Sequence, residues 1–192
     1  MSRLILIRHG KTLANEQHLY CSKTDLPLSE KGRSELNLLK AQLSYPSGDF
    51  FISSGLLRAN ETLRLLTGKQ PDLILPELAE YDFGRFEMQS YEQLKDSAEY
   101  QAWITDQTGT VSCPGGESRA EFQARVKVGL QRLLELSGRH SSLFVVCHGG
   151  VIVRLMQELA GDGKNFYEWQ PEAGHGYILK ISNGILRGYS SL

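Results

Sequence analysis

A three-layer α/β/α sandwich with a mostly parallel central sheet is predicted by three observations. Two continuous apolar runs, Leu4-Ile5-Leu6-Ile7 and Leu143-Phe144-Val145-Val146, lack the alternation of a strand with one wet face and suit parallel strands buried on both faces. Strand-like and helix-like segments alternate between them. Each run passes directly into a His-Gly pair, His9-Gly10 and His148-Gly149, and ligands of open α/β sheets bind at the carboxyl ends of strands.

The elements follow in order. After the strand at Leu4 to Ile7, Ser29-Glu30-Lys31 opens a helix with Leu36, Leu39 and Leu43 on one side, and Tyr45-Pro46-Ser47-Gly48 stops it. Phe50-Phe51-Ile52 is a short strand ending in Ser53-Ser54, Leu56 to Leu66 a helix, and Leu73-Ile74-Leu75 a third strand. Polar helical sequence runs from Ser90 to Trp103, and Asp106 to Gly116 is a soft connection. Glu117 to Leu136 places Phe122, Val126, Leu130, Leu133 and Leu134 at helical spacing. A helix from about Val151 to Leu159 follows the second His-Gly pair, and Gly176 to Ile181 and Ile185 to Tyr189 form a hairpin through Asn183-Gly184. Residues 1–192 read as a single domain, without repeats or linkers.

Composition narrows the function classes. Lys and Arg total 21 against 22 for Asp and Glu, so the net charge of -1 gives no general attraction for nucleic acid or an anionic membrane; an anion must be bound locally. The apolar start is too short for a signal peptide or a membrane span. The three cysteines, Cys21, Cys113 and Cys147, lack a Cys-x-x-Cys pair, which speaks against a disulfide framework or zinc ribbon and suits a reducing cytoplasm. His18, His140 and His175 sit in no ligand-spaced cluster, so no metal is expected. Gly10-Lys11-Thr12 has the tail of a phosphate-binding P-loop, but Ile5 stands where its first glycine belongs, which excludes that reading.

Leu6-Ile7-Arg8-His9-Gly10-Lys11-Thr12-x-x-Asn15 resembles the signature of the histidine phosphatase superfamily, which includes the cofactor-dependent phosphoglycerate mutases. Pro27 to Gly32, Ser53 to Thr62 around Arg58, Leu78-x-Glu80-x-x-x-Gly84 and His148-Gly149-Gly150 resemble its further motifs, in the family's order along nearly the whole chain. Two positions depart from the pattern: Gly55 stands where Asp is common, and Ser22 where a small glycine is usual.

The resemblance implies a phosphoglycerate mutase-like fold and a phosphomonoester hydrolase in which His9 takes up the phosphoryl group, so that no cofactor is needed. A phosphate dianion needs fixed positive donors. Arg8 and Arg58 can each fork onto two oxygens, and Asn15 adds an amide donor. Backbone N–H groups near Cys21, Ser22 and Gly149 are expected to complete the cradle. His9 must attack as neutral imidazole, whereas His148 is expected to stay protonated against the phosphate. The resemblance selects Glu80 over Glu77, Asp82 and Glu87 as the acid and base for the leaving alkoxide and the incoming water.

The short stretch from Ser90 to Gly115 and an end soon after a strand-like segment leave little sequence to exclude water, which favours hydrolysis over a mutase. Glu80 to Met88, the Trp103 region and Pro114 to Ser118 resemble most the family's α-ribazole phosphatase branch, with Tyr81, Phe83, Phe86, Tyr91 or Trp103 as stacking surfaces for a benzimidazole. A broad or sugar-phosphate phosphatase, a mutase and a non-catalytic phospho-ligand module are the alternatives. In each case the expected partner is a small-molecule phosphomonoester.

Overall fold

The structure, a computed structural model, describes residues 1–161 and 163–192. Its strands are β1 (Ser2–Arg8), β2 (Phe50–Ser53), β3 (Leu73–Ile74), β4 (Ser142–Cys147), β5 (Gly176–Ser182) and β6 (Ile185–Ser191), hydrogen-bonded in the order β3-β2-β4-β1-β5-β6. The first four are mutually parallel, while β5 and β6 run antiparallel as the predicted hairpin. The helices are α1 (Leu13–Glu16), α2 (Glu30–Gln42), α3 (Leu57–Thr67), α4 (Tyr91–Leu94), α5 (Ala98–Ile104), α6 (Arg119–Ser137), α7 (Gly149–Ala160) and α8 (Phe166–Trp169).

Strand periodicity divides the core into two layers. Leu4 and Leu6 of β1, with Leu143 and Val145 of β4, face the residues of α6 and α7, including Val126, Leu133, Val151 and Leu155. Ile5 and Ile7, with Phe144 and Val146, face Leu36 of α2 and Ala59, Leu63 and Leu66 of α3. All eight strand side chains are fully buried, each contributing about 1.5–3 kcal/mol of hydrophobic stabilisation. This two-sided burial explains why neither strand alternates in sequence. It also fixes the carboxyl ends of β1 and β4 side by side, with Arg8 opposite Cys147.

Two of the expected elements differ in the structure, and the short helices α1 and α8 were not expected. The segment Ser90 to Trp103 is two short helices, because Ser97 interrupts it: its N–H donates to Leu94 O (2.8 Å), and its hydroxyl caps a new helix by accepting from Tyr100 N–H. The helix expected from Val151 begins at Gly149, with His148 as its N-cap. Gly149 and Gly150 do not break this helix; they let other groups approach it, since a Cβ at Gly149 would lie 3.2 Å from Arg8 Nε and one at Gly150 2.6 Å from Glu80 Oε1. Among the described residues no helix is long and apolar enough to cross a membrane.

Candidate active site

His9 and His148 follow β1 and β4 directly, and the parallel pairing extends one step beyond the strands through His9 N–H to Cys147 O (3.0 Å). The two rings therefore meet edge to face, with centroids 5.0 Å apart. His9 Nδ1 lies 2.7 Å from Gly10 O. A carbonyl only accepts, so Nδ1 carries the proton and Nε2 the lone pair. His148 Nε2 is 2.8 Å from Ser54 Oγ, just past β2, and its Nδ1 is buried without a hydrogen-bond partner among the described residues.

Burial and the guanidinium of Arg58 push the His9 pKa down to about 3. His148, fully buried beside His9 and the same cations, is driven well below the ordinary imidazole value. Before an anion is bound, desolvation and like charge both disfavour the His148 cation; the protonated form expected of it is the one held against the phosphate. A depressed folded-state value means that the unfolded chain binds more protons in acid. For His9 this stability is fully present above about pH 6.5 and declines as the pH falls toward about 3, by roughly 1.4 kcal/mol per pH unit, and the lowered His148 acts in the same direction. Thermal midpoints measured from pH 7 to pH 4 should fall steeply in the wild type and less steeply in His9→Asn.

Arg8 closes one side of the site, its Nη1 donating to Pro171 O (2.8 Å). Arg58, on the first turn of α3 and 1 % exposed, donates to Ser22 O (2.8 Å) and Thr24 O (3.2 Å). Thr62, one turn on, bridges α3 to the first motif: its hydroxyl donates to Arg58 O (2.7 Å) and accepts from Gly10 N–H (2.9 Å). At the departure from the family pattern, Gly55 has φ +97, a backbone conformation that favours glycine.

The Glu80 carboxyl group is held by two backbone donors, Tyr81 N–H on Oε1 (3.0 Å) and Gly150 N–H on Oε2 (3.1 Å). Of its competitors, Glu77 pairs with Arg132, Asp82 with Lys23, and Glu87 accepts from the backbone of Ser22, Lys23 and Thr24. The Asn15 carbonyl oxygen accepts from Thr12 N–H (3.0 Å) in the α1 capping box, which leaves its amide NH2 for the cavity it lines. Gly149 opens α7, whose N-terminus carries no side-chain cap. The Ser22 donor needs correction: its N–H is bound to Glu87 (3.1 Å), so it does not open toward the histidines. Cys21 lines the cavity, its thiol donating to Thr24 O (3.4 Å). Among the described residues no group of three or more His, Cys, Asp or Glu could hold a metal ion.

A cavity of about 710 Å³ opens over Arg8, Asn15, Glu80 and Gly150. Of the predicted stacking residues, Tyr81, Phe83 and Trp103 line it; Tyr81 is fixed by donating to Glu117 O (2.9 Å) and accepting from Trp103 Nε1–H (2.9 Å). Phe86 instead lies in the core, and Tyr91 is exposed outside the cavity. Tyr20, Phe166 and Tyr167, which the sequence did not single out, also line the cavity. The last two stand on α8, whose capping box pairs Asn165 with Glu168; that Asn-x-x-Glu spacing was the available signal.

The family model described as histidine phosphatase superfamily (branch 1) matches residues 4–184. The adenosylcobalamin/alpha-ribazole phosphatase of Salmonella typhimurium is 38% identical over 188 residues, covering 95% of this chain and 92% of the relative. The crystal structure of the alpha-ribazole phosphatase from Shigella flexneri superposes with a TM-score of 0.83 at 31% identity, covering 96% and 93% of the two chains. A phosphoglycerate mutase structure from Thermus thermophilus gives 0.72 at 32% identity, covering 99% of each.

Proposed function

The chain belongs to the histidine phosphatase superfamily, and from this premise we propose that it hydrolyses α-ribazole 5′-phosphate through a phosphohistidine on His9. The observation that carries the reading is the fixed tautomer of His9: with Nδ1–H given to Gly10 O, a neutral Nε2 stands at the strand end beside Arg8, Arg58 and His148. Residues 1–192 are read as one catalytic domain, and the free cysteines suit a cytoplasmic setting.

In the first step His9 Nε2 bonds to phosphorus as the ester P–O bond breaks, and Glu80 gives its proton to the leaving alkoxide. Glu80, now a carboxylate, then takes a proton from the water that attacks phosphorus; the P–N bond breaks, and inorganic phosphate and neutral His9 result. Arg8 and Arg58 neutralise the equatorial oxygens, and the Asn15 amide and Gly149 N–H add neutral donors. His148, neutral in the arrangement described, gains a counter-charge only when the dianion arrives, which favours its protonated form at that moment.

The leaving group occupies the aromatic cavity. Tyr81, Phe83 and Trp103 offer flat apolar surface for a base, and its volume accommodates a nucleoside. Rates should be compared for α-ribazole 5′-phosphate, sugar phosphates and 3-phosphoglycerate, with product analysis. The expected kcat/KM for α-ribazole 5′-phosphate exceeds that for sugar phosphates by about 100-fold, the worth of roughly 3 kcal/mol of base contacts. Equal rates would make the enzyme a broad phosphatase, and isomerised phosphoglycerate without free phosphate would make it a mutase.

A further inference from the structure

Glu87 is an acid by type but is not part of the proton relay. Its Oε1 accepts N–H donors from Ser22 (3.1 Å) and Lys23 (2.5 Å), and its Oε2 accepts the Thr24 N–H (2.9 Å) and hydroxyl. Three consecutive backbone donors converging on one anion form a nest, here filled from within the chain. The same loop offers carbonyls to Arg58, whose Nη2 donates to Ser22 O and Nη1 to Thr24 O. One short loop thus joins a carboxylate on one side to a buried guanidinium on the other.

The turn carrying Glu87 is itself held in place. Met88 adopts φ +59, a left-handed conformation rare for a side-chain-bearing residue. Its N–H donates to Tyr20 O (2.7 Å), and Tyr20 N–H donates to Gln89 O (3.0 Å), which locks the turn against the loop. Gly55, three residues before Arg58, brings no carboxylate to orient the guanidinium. Its aim therefore depends on the carbonyls that Glu87 sets.

We propose that Glu87 is a positioning residue for phosphoryl transfer: by filling the nest of Ser22, Lys23 and Thr24 it fixes the two carbonyls that aim Arg58 at the phosphoryl group. The proposal rests on the reading of His9 and Arg58 given above. In Glu87→Gln one oxygen gives way to an NH2 that faces backbone donors, so the loop and Arg58 shift.

The test is a double-mutant cycle on p-nitrophenyl phosphate with wild type, Glu87→Gln, Arg58→Ala and the double variant, recording kcat, KM, inhibition by inorganic phosphate and the thermal midpoint. Glu87→Gln is expected to lower kcat/KM by about 10- to 100-fold and to weaken phosphate inhibition in parallel. In the Arg58→Ala background it should change neither by more than about twofold, while its effect on the thermal midpoint persists. Thr24→Val, which removes only the hydroxyl donor, should show the same dependence on Arg58 with a smaller loss, and it serves as the reading variant if Glu87→Gln fails to fold. A full loss repeated in the Arg58→Ala background, or no loss at all, overturns the proposal. A wild type without turnover, or turnover surviving His9→Ala, instead overturns the underlying mechanism.

Discussion

Glu80→Gln is expected to lower kcat on α-ribazole 5′-phosphate by about 10²- to 10⁴-fold, the usual worth of a positioned acid and base. The loss should depend on the leaving group. A ribose alkoxide must be protonated as it departs, so the first step is crippled. The p-nitrophenolate ion leaves without help, so with p-nitrophenyl phosphate the first step survives and the second, which needs the base for water, becomes limiting. A burst of p-nitrophenol followed by slow turnover, with phosphoenzyme accumulating, is the expected stopped-flow record. Gly150→Ala tests the placement of the same carboxylate without removing it. The new Cβ would lie 2.6 Å from Glu80 Oε1, the mobile end of a side chain, so the fold yields by moving Glu80. A loss of about 10- to 100-fold in kcat with an intact thermal transition should follow. Equal rates of wild type and Gly150→Ala would show that the observed position of Glu80 is irrelevant to turnover.

His9→Ala is expected to cost about 10⁴-fold or more in kcat on every phosphomonoester, because it removes the atom to which phosphorus is bonded between the two steps. Binding should survive, since the guanidinium donors belong to Arg8 and Arg58 and neither is anchored through the His9 ring. Inhibition by inorganic phosphate within about threefold of wild type, alongside lost turnover, is the expected pair of results. Loss of both together would mean that His9 serves the structure of the pocket instead of its chemistry.

The sheet was readable from sequence because hydrophobic burial on both faces leaves an unmistakable run, and Leu4 to Ile7 and Leu143 to Val146 carry no alternation to confuse with an edge strand. The same logic located the two histidines, since residues directly after adjacent parallel strands must come together. The resemblance supplied Arg58 and Glu80, which lie far apart in sequence from both strands and which no local periodicity connects to them. What the chain did not announce was who satisfies whom. Ser22 looked like a phosphate donor because loop N–H groups ordinarily are; that Glu87, more than sixty residues away, takes its N–H is a tertiary fact. The resting charge of His148 was equally hidden, because burial, which sequence does not show, disfavours its cation until an anion arrives. The helix of Phe166 and Tyr167 escaped notice because four residues carry no periodicity, only a cap.

In this mechanism phosphorus is bonded to His9 Nε2 between the two steps. Rapid acid-free quenching of the wild type with ³²P-labelled α-ribazole 5′-phosphate, followed by proteolysis and mass mapping, tests it directly. An alkali-stable, acid-labile label is expected on the peptide that carries His9, formed at least as fast as turnover and absent from His9→Ala. Label on any other residue, or inorganic phosphate released in the first turnover with no labelled protein formed, would contradict it.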